Sequence, residues 1–209
     1  MRRIVILLLV ATVLAPDSFA AQPETAIEGL NSLQVKGRAA KTGYTRSQFP
    51  HWSDPDRNGC DARNDTLKRD LTDITYKAGT RDCKVIGGQL LDPFSGKVII
   101  VSPTKVVIDM DHVVALSNAW QTGAAYFDKK LRTQIANDPL NLLAVDAKLN
   151  RQKGDGDAAS WLPPNKAFRC EYVARQVAVK AKYGLWVTKP EKVAIDKILS
   201  TCVGQKLPA

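Results

Sequence analysis

Between Asp109 and Asp155 the chain leaves few folds open to it. A β-branched run from Lys105 ends in Asp109-Met110-Asp111-His112, and a second apolar run spans Asn141 to Val145. Both read as short strands, because branched side chains pack well on a pleated surface. Between them, Ala119, Trp120, Ala124, Phe127, Leu131 and Ile135 recur at helical spacing within Leu116 to Ile135, with a break expected at Gly123. Asn137-Asp138-Pro139 then makes a turn. After the second strand Asp146 can cap a helix that starts at Ala147 and stops near Gly154. The order is strand, helical insert, strand, helix, which predicts an α+β fold.

The residue types on this frame suit one chemistry. Cleaving a phosphodiester needs an activated water, neutral charge at the phosphate and support for the leaving alkoxide. His112 can take a proton near neutral pH. A divalent ion held by oxygen ligands can meet the other two needs. Asp111 sits beside His112, and both can face one site only if the strand ends or twists there. Asn150, in the first turn of the helix, can lend its amide oxygen to the ion, while Asn141 can hold the loop carrying His112. Carboxylate and amide ligands favour Mg²⁺ or Mn²⁺ over Zn²⁺. Arg151 and Lys153 are candidates for phosphate contacts, and Asp109 is a further carboxylate on the Asp111 face.

Charge and the first residues bear on partners and location. Residues 1–20 combine Arg2 and Arg3, an apolar run from Ile4 to Leu14, and small residues at Ser18 and Ala20. This is the pattern of a signal peptide cleaved after Ala20, and the run is too short to span a bilayer comfortably. Cleavage removes two basic residues and one acidic one, so the formal charge of +9 becomes +8. Such a field favours anionic partners such as nucleic acid or a membrane surface, and no stable membrane insertion is expected. A secreted or periplasmic location follows.

All four cysteines, Cys60, Cys83, Cys170 and Cys202, lie in the exported part, where disulfides persist. Three pairings are possible. The sequential one is expected, because Cys170 opens one predicted helix and Cys202 closes the next. No pair has the C-x2-C spacing of a zinc site.

Residues 21–43 read as a flexible leader with a short helix possible from Ala26 to Leu33, and residues 44–209 as a single catalytic domain. The aromatic loop from Tyr44 to Asp61 reads as an anchor, and His51 as a packing or surface residue. Asp61 or Asn64 can cap a helix bearing Leu67 and Leu71, on which Lys68 and Arg69 are solvated and Arg63 is a phosphate candidate. Gly88–Leu91 and Lys97–Val101 form a predicted hairpin about an Asp92-Pro93-Phe94-Ser95-Gly96 turn. Gly154-Asp155-Gly156-Asp157 reads as a turn, lacking the full calcium-loop pattern. Two C-terminal helices should carry the second disulfide, with Lys180 and Lys182 free to face nucleic acid.

With these blocks in view, DMDHVV followed by NLLAVDAKLNRQKGD resembles the HNH endonuclease superfamily. The wider set, WSDPDRNGCDARNDTLKRD, LLDPFSG, NDPLNLLAVD, NRQKGD and WLPPN, is similar to a secreted bacterial HNH branch related to the C-terminal domain of GmrSD-type enzymes. The resemblance implies a ββα-metal (HNH, or His-Me finger) core with an added hairpin and C-terminal helices. It implies His112 as general base, Asp111 and Asn150 as metal ligands, and Asn141 as the residue orienting the base loop. The family's common proline after the Asp-His-hydrophobic pair is Ala115 here. An exported, metal-dependent endonuclease is the expected function, and a non-catalytic DNA-binding protein on a degenerate HNH fold is the alternative.

Overall fold

The structure, a computed structural model, describes residues 25–104 and 107–208. The signal peptide expected over residues 1–20 lies outside the described residues, as do Lys105 and Val106 at the expected start of the strand that ends in His112.

The fold is mixed α+β. Asp61 accepts the Asn64 N–H and caps α2 (Ala62–Asp70). The helix ends at Asp70, so Leu71 is not its last apolar residue. Leu71 instead begins β1 (Leu71–Tyr76), which pairs antiparallel with β2 (Val85–Leu91), and β2 pairs antiparallel with β3 (Val98–Val101). The predicted hairpin is therefore two strands of a three-stranded sheet. Its turn is built by the buried Asp92, whose Oδ1 accepts the N–H groups of Phe94 and Asp146 and whose Oδ2 accepts that of Ser95. One carboxylate thus shapes the hairpin and ties it to the end of the last strand of the central stretch.

A second, two-stranded sheet holds the central stretch. β4 (Ile108–His112) runs antiparallel to β5 (Leu142–Asp146), with Met110 opposite Ala144 and His112 opposite Leu142. The outer edge of β5 has no strand neighbour among the described residues, and side chains satisfy it instead. Arg69 donates to the carbonyls of Leu142 and Pro139, and Asp70 accepts the Ala144 N–H. Arg69 is thus a structural brace rather than a solvated charge. The insert between the strands is two helices, α3 (Leu116–Gln121) and α4 (Lys129–Asn137), separated where Gly123 takes a φ of 137°. Such a backbone disfavours any side chain. Asp146 caps α5 (Ala147–Lys153) through the Leu149 N–H, so the helix follows β5 without a loop.

The remaining helices close the core from one side. A Thr25–Glu28 capping box starts α1 (Ala26–Ser32), and its buried Ala26 and Leu30 pack against α6 (Arg169–Lys182) and α7 (Lys189–Leu199). Within the expected flexible leader, residues 26–33 are therefore packed, because Leu30 and Leu33 have an apolar face to join, while residues 34–43 are mostly exposed. Asn165 binds the carbonyls of Pro93 and Phe94, and Phe94 packs on Trp161, Phe168 and Tyr172. The LLDPFSG and WLPPN blocks thus meet in one cluster. Disulfides join Cys60 to Cys83 and Cys170 to Cys202, the sequential pairing. Lys180 does not face solvent. It is buried, with its Nζ 2.7 and 2.9 Å from the two carboxylate oxygens of Glu191. No helix among the described residues is long and apolar enough to cross a membrane.

Candidate functional site

The site is set by where β4 ends. The Val113 N–H turns to the Asn141 carbonyl at 2.8 Å, and the Val114 N–H to Asn141 Oδ1 at 2.8 Å. Asn141 Nδ2 donates to the Ile135 carbonyl at 3.1 Å. A fully buried amide therefore pins the chain after His112 to the end of α4. The next carbonyl, Ala136, lies 2.9 Å from His112 Nε2. A carbonyl can only accept, so Nε2 carries the ring hydrogen and the neutral imidazole keeps a lone pair on Nδ1. Burial pulls the His112 pKa from 6.5 down to about 3, against the Ala136 hydrogen bond and with help from the positive charges of Arg46 and Lys153. Trp52 stacks on the ring at 6.1 Å and 26° between planes, from a backbone φ of 61°.

Asp111, the residue before, is also buried. Its Oδ1 accepts from Lys153 Nζ at 2.8 Å, and the same ammonium donates to the His112 carbonyl at 2.8 Å. Its Oδ2 is buried with no hydrogen-bond partner among the described residues. Burial pushes this carboxyl above its ordinary range, while Lys153 pulls the other way. Lys153 was expected to reach a phosphate, and this must be corrected. It lies near the end of α5, where it is buried under β4 and committed to Asp111 and the His112 carbonyl.

Asp111, His112 and Asn150 line one polar cavity of about 90 Å³, together with Tyr44, Arg46, Met110, Ala115, Leu116, Gly154 and Asp155. A water molecule occupies about 30 Å³ of liquid, so this volume holds an ion with a few waters. The unpartnered Asp111 Oδ2 and the Asn150 amide are oxygen donors, which fits a hard divalent ion. Among the described residues, no three His, Cys, Asp or Glu side chains gather at metal-binding distances. The donor set here is thus one of mixed carboxylate and amide oxygens.

The other candidates fall elsewhere. Arg151 is exposed and lies 3.9 Å from Asp109, off the cavity. Arg63 is half-buried beside the first disulfide and does not line the cavity. His51 binds the Phe49 carbonyl and packs edge-on to Trp52. Residue types alone missed Arg46, Tyr44 and Trp52, which reach the site from a distant stretch of chain, and Asp155, which reads only as part of a turn. The aromatic density of Tyr44 to Trp52 was the available signal.

Comparison with known proteins gives this geometry a context. Residues 61–198 match the family model described as the C-terminal domain of GmrSD restriction endonucleases. A protein of Arthroderma benhamiae named as an uncharacterized secreted protein is 36% identical over 180 residues, covering 85% of each chain. That relative is fungal, so the likeness reaches beyond bacteria. No solved structure matches the chain.

Proposed function

The chain belongs to the family of the GmrSD restriction endonuclease C-terminal domain, and from that premise we propose that it is an exported, metal-dependent endonuclease of HNH type. On this reading β4, β5 and α5 are a ββα-metal core within a catalytic domain of residues 44–209. The signal peptide is residues 1–20, and the substrate is nucleic acid, DNA rather than RNA. The observation that carries the reading is that Asp111, His112 and Asn150 line one polar cavity. The buried Asp111 Oδ2 has no hydrogen-bond partner among the described residues, and His112 Nε2 is bound to a carbonyl, which leaves the lone pair on Nδ1.

Each protein group has a task that its surroundings support. His112 Nδ1 takes the proton of the attacking water. Its low proton affinity keeps the ring neutral, and a phosphate entering the cavity raises that affinity by adding negative charge nearby. Asn141 fixes the ring by holding the backbone on both sides of it. Lys153 keeps Asp111 in place and leaves one carboxylate oxygen open. Asp111 and Asn150 would hold Mg²⁺ or Mn²⁺ in preference to Zn²⁺. When bound, the ion neutralises charge at the phosphate and at the leaving oxygen. The two disulfides suit an oxidising compartment.

His112→Ala is expected to lose on the order of 10²-fold or more in the rate of plasmid cleavage, with an unchanged circular dichroism spectrum. Chelation by EDTA should stop the wild type, and Mg²⁺ or Mn²⁺ should restore it. Plasmid digestion by His112→Ala near the wild-type rate would overturn the assignment.

A further inference from the structure

The chain before the family-matched region is laid against the catalytic loop by a series of contacts. Lys36 N–H binds the Val187 carbonyl, Trp186 Nε1 donates to the Gly37 carbonyl, and Ala39 N–H binds the Gln121 carbonyl. Two ion pairs then cross to the Gly154–Asp157 loop, Arg38 to the buried Asp157 and Lys41 to Asp155 at 2.7 Å. The segment next turns through Tyr44, whose ring packs with Phe49 and Trp120. It delivers Arg46 to the cavity that holds Asp111, His112 and Asn150. The GDGD motif, which by sequence is only a turn, is thus the dock for this arm.

Arg46 differs from every other cation considered for the site. Lys153 is consumed by Asp111, and Arg151 and Arg63 lie off the cavity. Arg46 is the one cation among the described residues lining the cavity, and its guanidinium has no ion-pair or hydrogen-bond partner among them. A planar fork of N–H donors at the mouth of an acidic, oxygen-lined cavity matches the paired non-bridging oxygens of a phosphodiester.

We propose that Arg46 is a catalytic residue that binds the scissile phosphate, delivered by an arm outside the family-matched region and docked on Asp155 and Asp157. This rests on the nuclease reading above. Binding of the phosphate by Arg46 neutralises charge that grows in the transition state, so its loss should fall mainly on kcat.

The test compares Arg46→Ala, Arg46→Lys and Lys197→Ala, which removes one exposed charge from α7 remote from the cavity, on a duplex oligonucleotide with Mg²⁺. The expected result is a kcat about 10²-fold lower for Arg46→Ala, partial recovery in Arg46→Lys, and wild-type kinetics for Lys197→Ala. Wild-type cleavage with Arg46→Ala within twofold of it would overturn the inference and leave the nuclease reading standing. If the wild type cleaves nothing, the nuclease reading fails and diphenyl phosphate titrated into ¹⁵N-labelled protein decides the phosphate site. Shifts at Arg46 and His112 that vanish in Arg46→Ala support it, and equal binding by both proteins overturns it.

Discussion

Among the described residues two lysine–carboxylate pairs are buried, and they are built to different ends. Lys180 and Glu191 join α6 to α7, with both carboxylate oxygens within 3 Å of the ammonium and one of them also accepting the Thr188 N–H. Lys153 and Asp111 join α5 to β4, with one oxygen on the ammonium and the other buried without a hydrogen-bond partner among the described residues, in a side chain that lines the polar cavity. Burying either pair costs desolvation that the mutual attraction only roughly offsets. The first pair turns its charge inward and fixes a helix start. The second keeps half of its charge available, which is what a site needs if an incoming cation is to complete it.

The strongest way to break this contrast is to remove each ammonium. Lys153→Met and Lys180→Met should each destabilise the fold by roughly 3–5 kcal/mol, because each strands a buried carboxylate. Mg²⁺ should restore part of the loss in Lys153→Met and none in Lys180→Met, as read from urea midpoints. Equal rescue of both variants, or of neither, would erase the difference between the pairs.

Smaller effects sharpen the comparison. Replacing either disulfide by serines should cost about 3 kcal/mol by loop entropy. Mg²⁺ at 100 times its Kd should raise wild-type stability by about 2.7 kcal/mol, and this gain should depend on pH. The Asp111 carboxyl is raised above 3.8 by burial, so without an ion the folded state holds that proton more tightly than the unfolded chain. Its contribution to stability then falls as pH rises from the ordinary value through the raised one. An ion needs the carboxylate ionised, so the Mg²⁺ gain should be small in acid and grow across that same window. A gain that is flat with pH would remove Asp111 from the binding site. The smallest expected effect is that of Arg151→Ala, which should leave kcat unchanged because its guanidinium lies by Asp109 and off the cavity.

Much of the frame could be read from residue patterns because its causes are local. Asp146 after an apolar run announces a helix start, Gly123 a break, and Asp92-Pro93 a turn. The strand β1 could not be read, since Leu71 is its one buried residue and its outer face is polar. Lys153 and Lys180 were misplaced for a shared reason. Lysine on a helix reads as solvated, and only a partner on another element reverses that. Asp111 lies 42 residues from Lys153. Arg46 was missed on the same ground, because the ion pairs that dock its arm join residues 119 and 114 positions apart.

The claim that Asp111 keeps an oxygen for an ion is tested most directly by titrating Mn²⁺ into ¹⁵N-labelled protein and following paramagnetic broadening. The account predicts broadening centred on Asp111, His112 and Asn150, lost in Asp111→Asn. Broadening confined to the loop from Tyr44 to Asp61, where Asp54 and Asp56 both accept the Asn58 N–H, with the three cavity residues still sharp, would contradict it.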